Sequence, residues 1–341
     1  MAILIFALRR FLLAIPTLLG LLVVTFILAN FMPGDPLARL LGDVGGSNPE
    51  VVAAYRTKWG LDKPLWEQFF IYVSNLLQGD LGQSTYTRRG VMDDLLDFLP
   101  ATIELSVAAL FFAGLFGLVL GSVAALFHNK WPDFLVRAVA LIASGVPVFW
   151  LGLIALQVFY LQFGWTPGPE GRLSSRVNPP PHITGAYTVD ALLSADSIAF
   201  WDAVAHIVLP AAVLGAFFLG LVSRMMRASM LDVLKSPYLM TARSKGLKTS
   251  TIAQFHVLPN ALIPTVTVVG LAIGGLLAGA VLTETVFSWP GIGRYAVDAA
   301  KALDYQAILG VTLLIGVIYV VTNAVIDVVY AALDPRIRLG S

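Results

Sequence analysis

An all-α polytopic membrane protein with six transmembrane helices is the fold class that three features of the sequence predict. Hydrophobic residues make up 57% of the 341 and charged residues only 13%, about half the charge of an ordinary soluble domain. Six apolar runs reach the length a helix needs to cross about 30 Å of hydrocarbon. Net charge alternates along the ends of those runs, positive on one set and negative on the other.

Arg9-Arg10 precede the first run, Phe11 to Met32. A cleaved signal peptide ending near Leu28-Ala29-Asn30 is the competing reading. Signal-peptide apolar regions stop at about 15 residues, so a retained first helix is expected, closing a segment 1–32. Pro33-Gly34-Asp35-Pro36 breaks it. Segment 33–99 is mixed and punctuated by Gly42, Gly45-Gly46 and Asn48-Pro49. Short helices are expected from Asn48-Pro49-Glu50 and over Trp66 to Leu77, followed by a turn at Gly79-Asp80-Leu81-Gly82. The segment reads as a small helical cap on one membrane face.

A core of five further spans is expected over 100–341. The second runs from Ala101 to Phe127, turns at His128 to Asp133, and gives a third at about Phe134 to Phe163. Glu104 is expected at the membrane interface, with a direct transport role as the alternative. Gly117 and Gly121 form a small-xxx-small step that admits a neighbouring helix. The loop 164–202 carries Gly171-Arg172 and Pro179-Pro180-Pro181, through which no periodic helix can pass. His206 opens the fourth span, Ala203 to Met226, and reads as a satisfied buried histidine rather than a proton relay.

The chain then enters a polar and basic island within 228–258. Ser236 reads as an N-cap, Pro237 as the first helical residue and Gly246 as the stop. Tyr238, Ala242 and Lys245 share one face of this short helix; Leu239 and Arg243 share the next. A second short helix, capped by Thr249 or Ser250, carries Ile252, Phe255 and Val257. Such a pair is too polar for lipid and too short to be a domain, so its exposed side chains are expected to meet a partner.

The fifth span, Ile263 to Thr283, holds Gly270, Gly274, Gly275 and Gly279, two interleaved small-xxx-small pairs. The loop 284–304 follows, with Glu284, Phe287, Trp289, Pro290 and Gly291. Gly291, Gly293 and Ala296 fit a dinucleotide fingerprint only superficially, since Trp289-Pro290 stands where a strand should end. A partly re-entrant loop near a substrate path is the physical reading. The sixth span runs from Tyr305 to about Leu333, with Asp327 near its inner end and Asp334 to Arg338 beyond it.

Six spans put both termini on one side. That side collects 12 of the 22 basic residues against Asp133, Asp232, Asp327 and Asp334, a net +8; the other side nets −7. Positive charge near span ends marks the cytoplasmic face, so both termini and the 228–258 island are expected in the cytoplasm. No cysteine is present and no two of the four histidines stand at helical ligand spacing. The middle of each span lacks Asp, Glu, Lys and Arg, which weakens a self-contained channel or proton- or ion-driven carrier. Gly246-Leu247-Lys248-Thr249 fails as a phosphate loop, because Leu247 stands where the glycine before the lysine is required. No catalytic residue, cofactor, metal or nucleic-acid contact is expected of this chain, and energy must come from elsewhere.

Thr241-Ala242-Arg243-Ser244-Lys245-Gly246-Leu247 with His256-Val257-Leu258-Pro259-Asn260-Ala261 closely resembles the coupling loop of bacterial ABC importer permeases, specifically the first permease subunit of the dipeptide/oligopeptide group. Pro33-Gly34-Asp35-Pro36, Gly60-Leu61-Asp62-Lys63-Pro64 and Gly79-Asp80-Leu81-Gly82 resemble its external segment, and Thr283 to Gly293 its last external loop. The general importer motif has Glu-Ala-Ala where Met240-Thr241-Ala242 stands here, a departure that fits the peptide subgroup and leaves no motif glutamate. The resemblance implies a type I importer fold in a bacterial inner membrane. It also implies a second homologous permease as heterodimer partner, two ATP-binding subunits carrying ATP and Mg, and an external substrate-binding protein. On the same basis Ser236, Tyr238, Leu239, Ala242, Arg243, Lys245, Gly246 and Leu247 would meet the ATPase. Di- or oligopeptides are the implied cargo, with glutathione, nickel complexes or other small conjugates as alternatives.

Overall fold

The computed structural model describes residues 2–31, 57 and 63–333. Pro33 to Pro36, Gly42, Gly45-Gly46, Asn48 to Glu50, Gly60 to Asp62 and Asp334 to Arg338 lie outside the described residues, as do the side chains of Arg9, Arg10, Arg243 and Asp327. Among the described residues, four helices are long and apolar enough to cross a membrane, or five if one sharply bent pair is a single span. The chain divides into two compact units, Met1–Pro100 with Gly291–Ser341, and Ala101–Pro290.

In the first unit α1 (Ala2–Phe31) packs along α12 (Tyr305–Leu333). Gly316 lets Leu21 approach so closely that a Cβ there would overlap it. The helix α2 (Leu65–Leu77) is amphipathic and turns Tyr72 inward, with Phe69 and Tyr72 against Phe26 of α1. Gly79 and Gly82, at φ 80° and 86°, supply the turn that follows. A small antiparallel bridge from Gln83 to Gly90 then leads into α3 (Val91–Leu126). This helix begins ten residues before the predicted start of the second span and carries Pro100 inside it. Asp93 and Asp94 in its first turn favour the early start, because carboxylates suit the positive end of the helix dipole. The amphipathic α11 (Ile292–Lys301) buries Ile292, Tyr295 and Ala299 in the core made by Leu81, Val91, Leu95 and Val311.

The second unit is built around α7 (Ser197–Leu234), which is buried along most of its length and so forms the centre of a bundle. Around it stand α3, α4 (Trp131–Gly145), α5 (Val148–Ala155), α6 (Tyr187–Leu193) and α10 (Leu258–Val286). A Cβ on Gly117 would lie 2.8 Å from the Val222 side chain, and one on Gly121 2.6 Å from the Ser223 carbonyl. Gly215 and Gly220 of α7 admit the Ala109 and Ala140 carbonyls in the same way. On α10, Gly275 faces the Phe218 ring.

Further expectations change. The third span is not one rod: α4 and the stretch Val148–Gln162 meet at a bend of 109°. Pro147 disfavours helix at the residue before it, and Val146 is extended at φ −87°, ψ 133°. Beyond α5 the helix widens to a π-helix over Leu156–Gln162. The last long connection is also shorter than predicted, since α10 runs on to Val286 and places Glu284 in its final turn.

Candidate functional site

Helix α8 (Pro237–Ser244) begins with a proline, whose missing N–H costs nothing at a helix start. It ends at Gly246, whose φ of 77° is the left-handed conformation a helix stop uses. Leu247 N–H donates to the Ala242 carbonyl at 3.4 Å, the six-to-one bond of a Schellman cap. The predicted second helix forms as α9 (Thr249–Ile252) but does not stand apart. It passes through a π-helix, Ala253–Val257, straight into α10. Pro259 has no N–H to offer the preceding turn, and such a turn is accommodated by a local widening.

The hairpin has two faces. Leu239, Ala242, Ile252 and Val257 are buried together with Ala125, Met226, Met230 and Ala261, so α3, α7 and α10 form its socket. Tyr238 Oη donates to the His256 carbonyl at 3.2 Å, and Asn260 Nδ2 donates to the same carbonyl at 2.7 Å. Among the residues expected to meet a partner, Leu239 and Ala242 therefore point into the chain's own core. Tyr238, Lys245, Gly246 and Leu247 lie on the exposed side. Met240, 70% exposed, and Phe255, 66% exposed, complete that side. Met240 was not singled out as a contact from sequence, although it follows Leu239 and must leave the face that Leu239 and Ala242 share. The exposed surface is thus large apolar side chains beside Lys245 and Lys248, suited to a groove with apolar walls and an acidic rim. Alongside the hairpin, Leu115, Leu118, Met230, Ala253 and Leu258 border a groove of about 600 Å³.

At the other end of the unit the polar residues are engaged with one another. Arg172 Nη2 donates to Glu104 Oε2 at 2.5 Å and to the Gly185 carbonyl at 2.8 Å, with its guanidinium 3.6 Å above the Tyr187 ring. Glu104 Oε1 accepts from Thr188 N–H and Oγ1 at 2.7 and 2.6 Å. Glu104, predicted at the interface, is thus a buried ion-pair partner that holds the loop 164–202. Asp190 accepts from Thr184 N–H and Oγ1 and Gly185 N–H. Burial opposes its ionisation, but those hydrogen bonds prevail and hold the carboxyl below its ordinary range. His206 Nδ1 lies 2.8 Å from the Asp202 carbonyl. Glu284 Oε1 accepts from Thr102 Oγ1 at 2.7 Å, and Trp289 Nε1 donates to the Ala101 carbonyl at 2.8 Å, so both are buried anchors. Phe287 is buried too, whereas Pro290 is half-buried. Among the described residues no three His, Asp or Glu side chains group to hold a metal.

Residues 117–339 match the family described as binding-protein-dependent transport system inner membrane component, and residues 3–106 match its N-terminal companion. The chain is 45% identical over 321 residues to the probable D,D-dipeptide transport system permease protein DdpB of Escherichia coli (strain K12), covering 94% of each chain. It is 45% identical over 333 residues to the di/tripeptide transport system permease protein DppB of Pseudomonas aeruginosa (strain UCBPP-PA14), covering 98% of each. The glutathione transport system permease protein GsiC of Escherichia coli O6:H1 is 36% identical over 333 residues, again with 98% of each covered. With both family models matched and relatives aligned from end to end, this chain belongs to the inner membrane components of binding-protein-dependent transport systems, and it is a permease.

Proposed function

We propose that this permease forms the import path for di- and oligopeptides, with an external binding protein delivering them and separate ATPase subunits driving the cycle. The observation that carries the cargo is the end-to-end identity of 45% with a di/tripeptide permease. The hairpin supplies the mechanism. Its inner face is locked to α3, α7 and α10, so a push on Met240, Lys245 and Leu247 is delivered to three long helices at once. Nucleotide-driven closure of two ATPases, one under this hairpin and one under that of a second permease, would then reorient the paired bundles. In this reading α1 and the bent α4–α5 pair complete six spans, both termini lie in the cytoplasm, and segment 33–99 with loop 164–202 faces the binding protein.

A peptide auxotroph lacking this chain tests the cargo. Growth on dipeptides as the source of the required amino acid should fail and return with the gene. Normal growth on dipeptides with loss of glutathione uptake would favour the second reading, which the 36% identity to a glutathione permease supports. Met240→Glu together with Lys245→Glu should abolish co-purification of the ATPase subunits expressed with the chain.

A further inference from the structure

Asp133 is the one carboxylate near the hairpin end that is wholly buried among the described residues, and it draws together three stretches of chain. Arg227 of α7 donates to it from Nε at 2.7 Å and from Nη2 at 2.8 Å, a two-pronged fork. The backbone N–H of Asn129 donates to Asp133 Oδ2 at 2.9 Å from the turn between α3 and α4. Asn129 holds φ 60° to do so, a left-handed conformation that Asn tolerates better than most residues. Arg137 Nε lies 3.5 Å away on the next turn of α4, and Arg227 Nη2 also donates to His128 Nδ1 at 3.1 Å. Arg227 is placed at the stem of the hairpin, seven residues before α7 ends, and its backbone nitrogen lies beside Gly121 of α3.

Packing alone would hold these helices together. Apolar residues of equal volume often match a buried ion pair in stability. A bidentate fork adds register, because a planar guanidinium meets both carboxylate oxygens in one relative position. Sliding α7 along α4 by a single turn, about 5.4 Å, breaks both prongs.

We propose that Asp133 and Arg227 are a positioning pair that makes the α3–α4 turn and the stem of α7 move as one body when the hairpin is displaced, so that ATP hydrolysis is converted into movement of α3 and α4. This rests on the reading of the hairpin as the ATPase contact. Neither residue touches cargo or nucleotide in this scheme.

The test uses the complete transporter, this chain with its second permease, ATPases and binding protein, reconstituted in proteoliposomes. Peptide uptake and ATP hydrolysis are measured on the same preparation. Asp133→Asn keeps the shape and removes the charge; Arg227→Lys keeps the charge and removes the fork. The expected result for Asp133→Asn is a fall of about tenfold in peptide moved per ATP, the loss of one charge-assisted hydrogen bond expressed as a ratio, with ATPase subunits retained. Arg227→Lys should lower the same ratio by a smaller factor. An unchanged ratio in both, with uptake falling only as assembled complex falls, would make the pair merely structural and overturn the proposal. Should Asp133→Asn fail to assemble, Arg227→Lys decides alone. Met240→Glu separates the two layers: if it leaves ATPase binding and uptake intact, the hairpin reading fails whatever the fork does.

Discussion

Glu104 and Asp190 are two carboxylates outside any coupling role, and each fastens part of the loop 164–202 by a different means. Glu104 neutralises Arg172 with both side chains buried, so Glu104→Gln leaves a buried guanidinium without its counter-charge. The expected cost is about 3–5 kcal/mol, read as faster proteolytic cleavage of the loop in the purified assembly. Asp190 works through hydrogen bonds to its ionised form from Thr184, Ile183 and Gly185. Its folded pKa lies below the ordinary carboxylate range, so its stabilisation is complete above that range and is lost as pH falls through the depressed value. Hydrogen exchange at the Thr184 and Gly185 amides, corrected for intrinsic rate, should therefore rise on acidification. In Asp190→Asn it should be fast at every pH. Little of this was legible beforehand. The step Gly171-Arg172 stood out, but its partner Glu104 lies 68 residues away with no periodicity connecting them. Asp190 sits in a short helix that the preceding prolines seemed to forbid, yet α6 forms after they end.

Helices in this molecule approach one another where glycines allow it, and the allowance differs sharply between neighbouring positions on α3. A methyl on Gly121 would stand 2.6 Å from the Ser223 carbonyl, which is backbone and cannot rotate away; a methyl on Gly114 would meet nothing within 4 Å. Gly121→Ala should cost about 1–3 kcal/mol by overpacking, whereas Gly114→Ala should be neutral or stabilising by up to about 1 kcal/mol through helix propensity. Thermal melts of the purified assembly, compared between the two variants, measure the difference. The step Gly117-Gly121 was visible because both glycines lie on α3 at helical spacing. Gly215 and Gly220 were passed over, although Ala211 and Ala216 stand four residues before them at the same small-xxx-small spacing, and each opens toward a different helix. Helix ends were the other loss. Pro100 marks a boundary in sequence terms, but α3 runs through it, and the break in the third span falls at Val146, where a later proline acts. The stop at Gly246 was readable because a left-handed residue there needs glycine, and Gly246→Ala should loosen the hairpin turn by about 1–2 kcal/mol with a matching fall in uptake.

Orientation belongs to the whole chain, because no single residue fixes it and all the connections vote together. The segregation of basic residues, net +8 on one side and −7 on the other over the six predicted spans, predicts a cytoplasmic hairpin by the rule that positive connections stay inside. The apolar runs were the most legible feature of the sequence, since they are summed over tens of residues and survive a bend in one span or a shifted helix end; the charge imbalance is summed in the same way, and labelling tests what it predicts. The chain contains no cysteine, so one introduced thiol reports one location without a background to subtract. Ser244→Cys places it on the exposed side of the hairpin, and Glu170→Cys on the exposed loop at the other end of the same unit. In intact spheroplasts a membrane-impermeant maleimide should modify Glu170→Cys and spare Ser244→Cys. After solubilisation and denaturation, which also frees a hairpin shielded by an ATPase, both should react fully. The opposite pattern, with Ser244→Cys modified from outside, would put the hairpin beyond the reach of cytoplasmic ATPases and remove the basis for coupling through it.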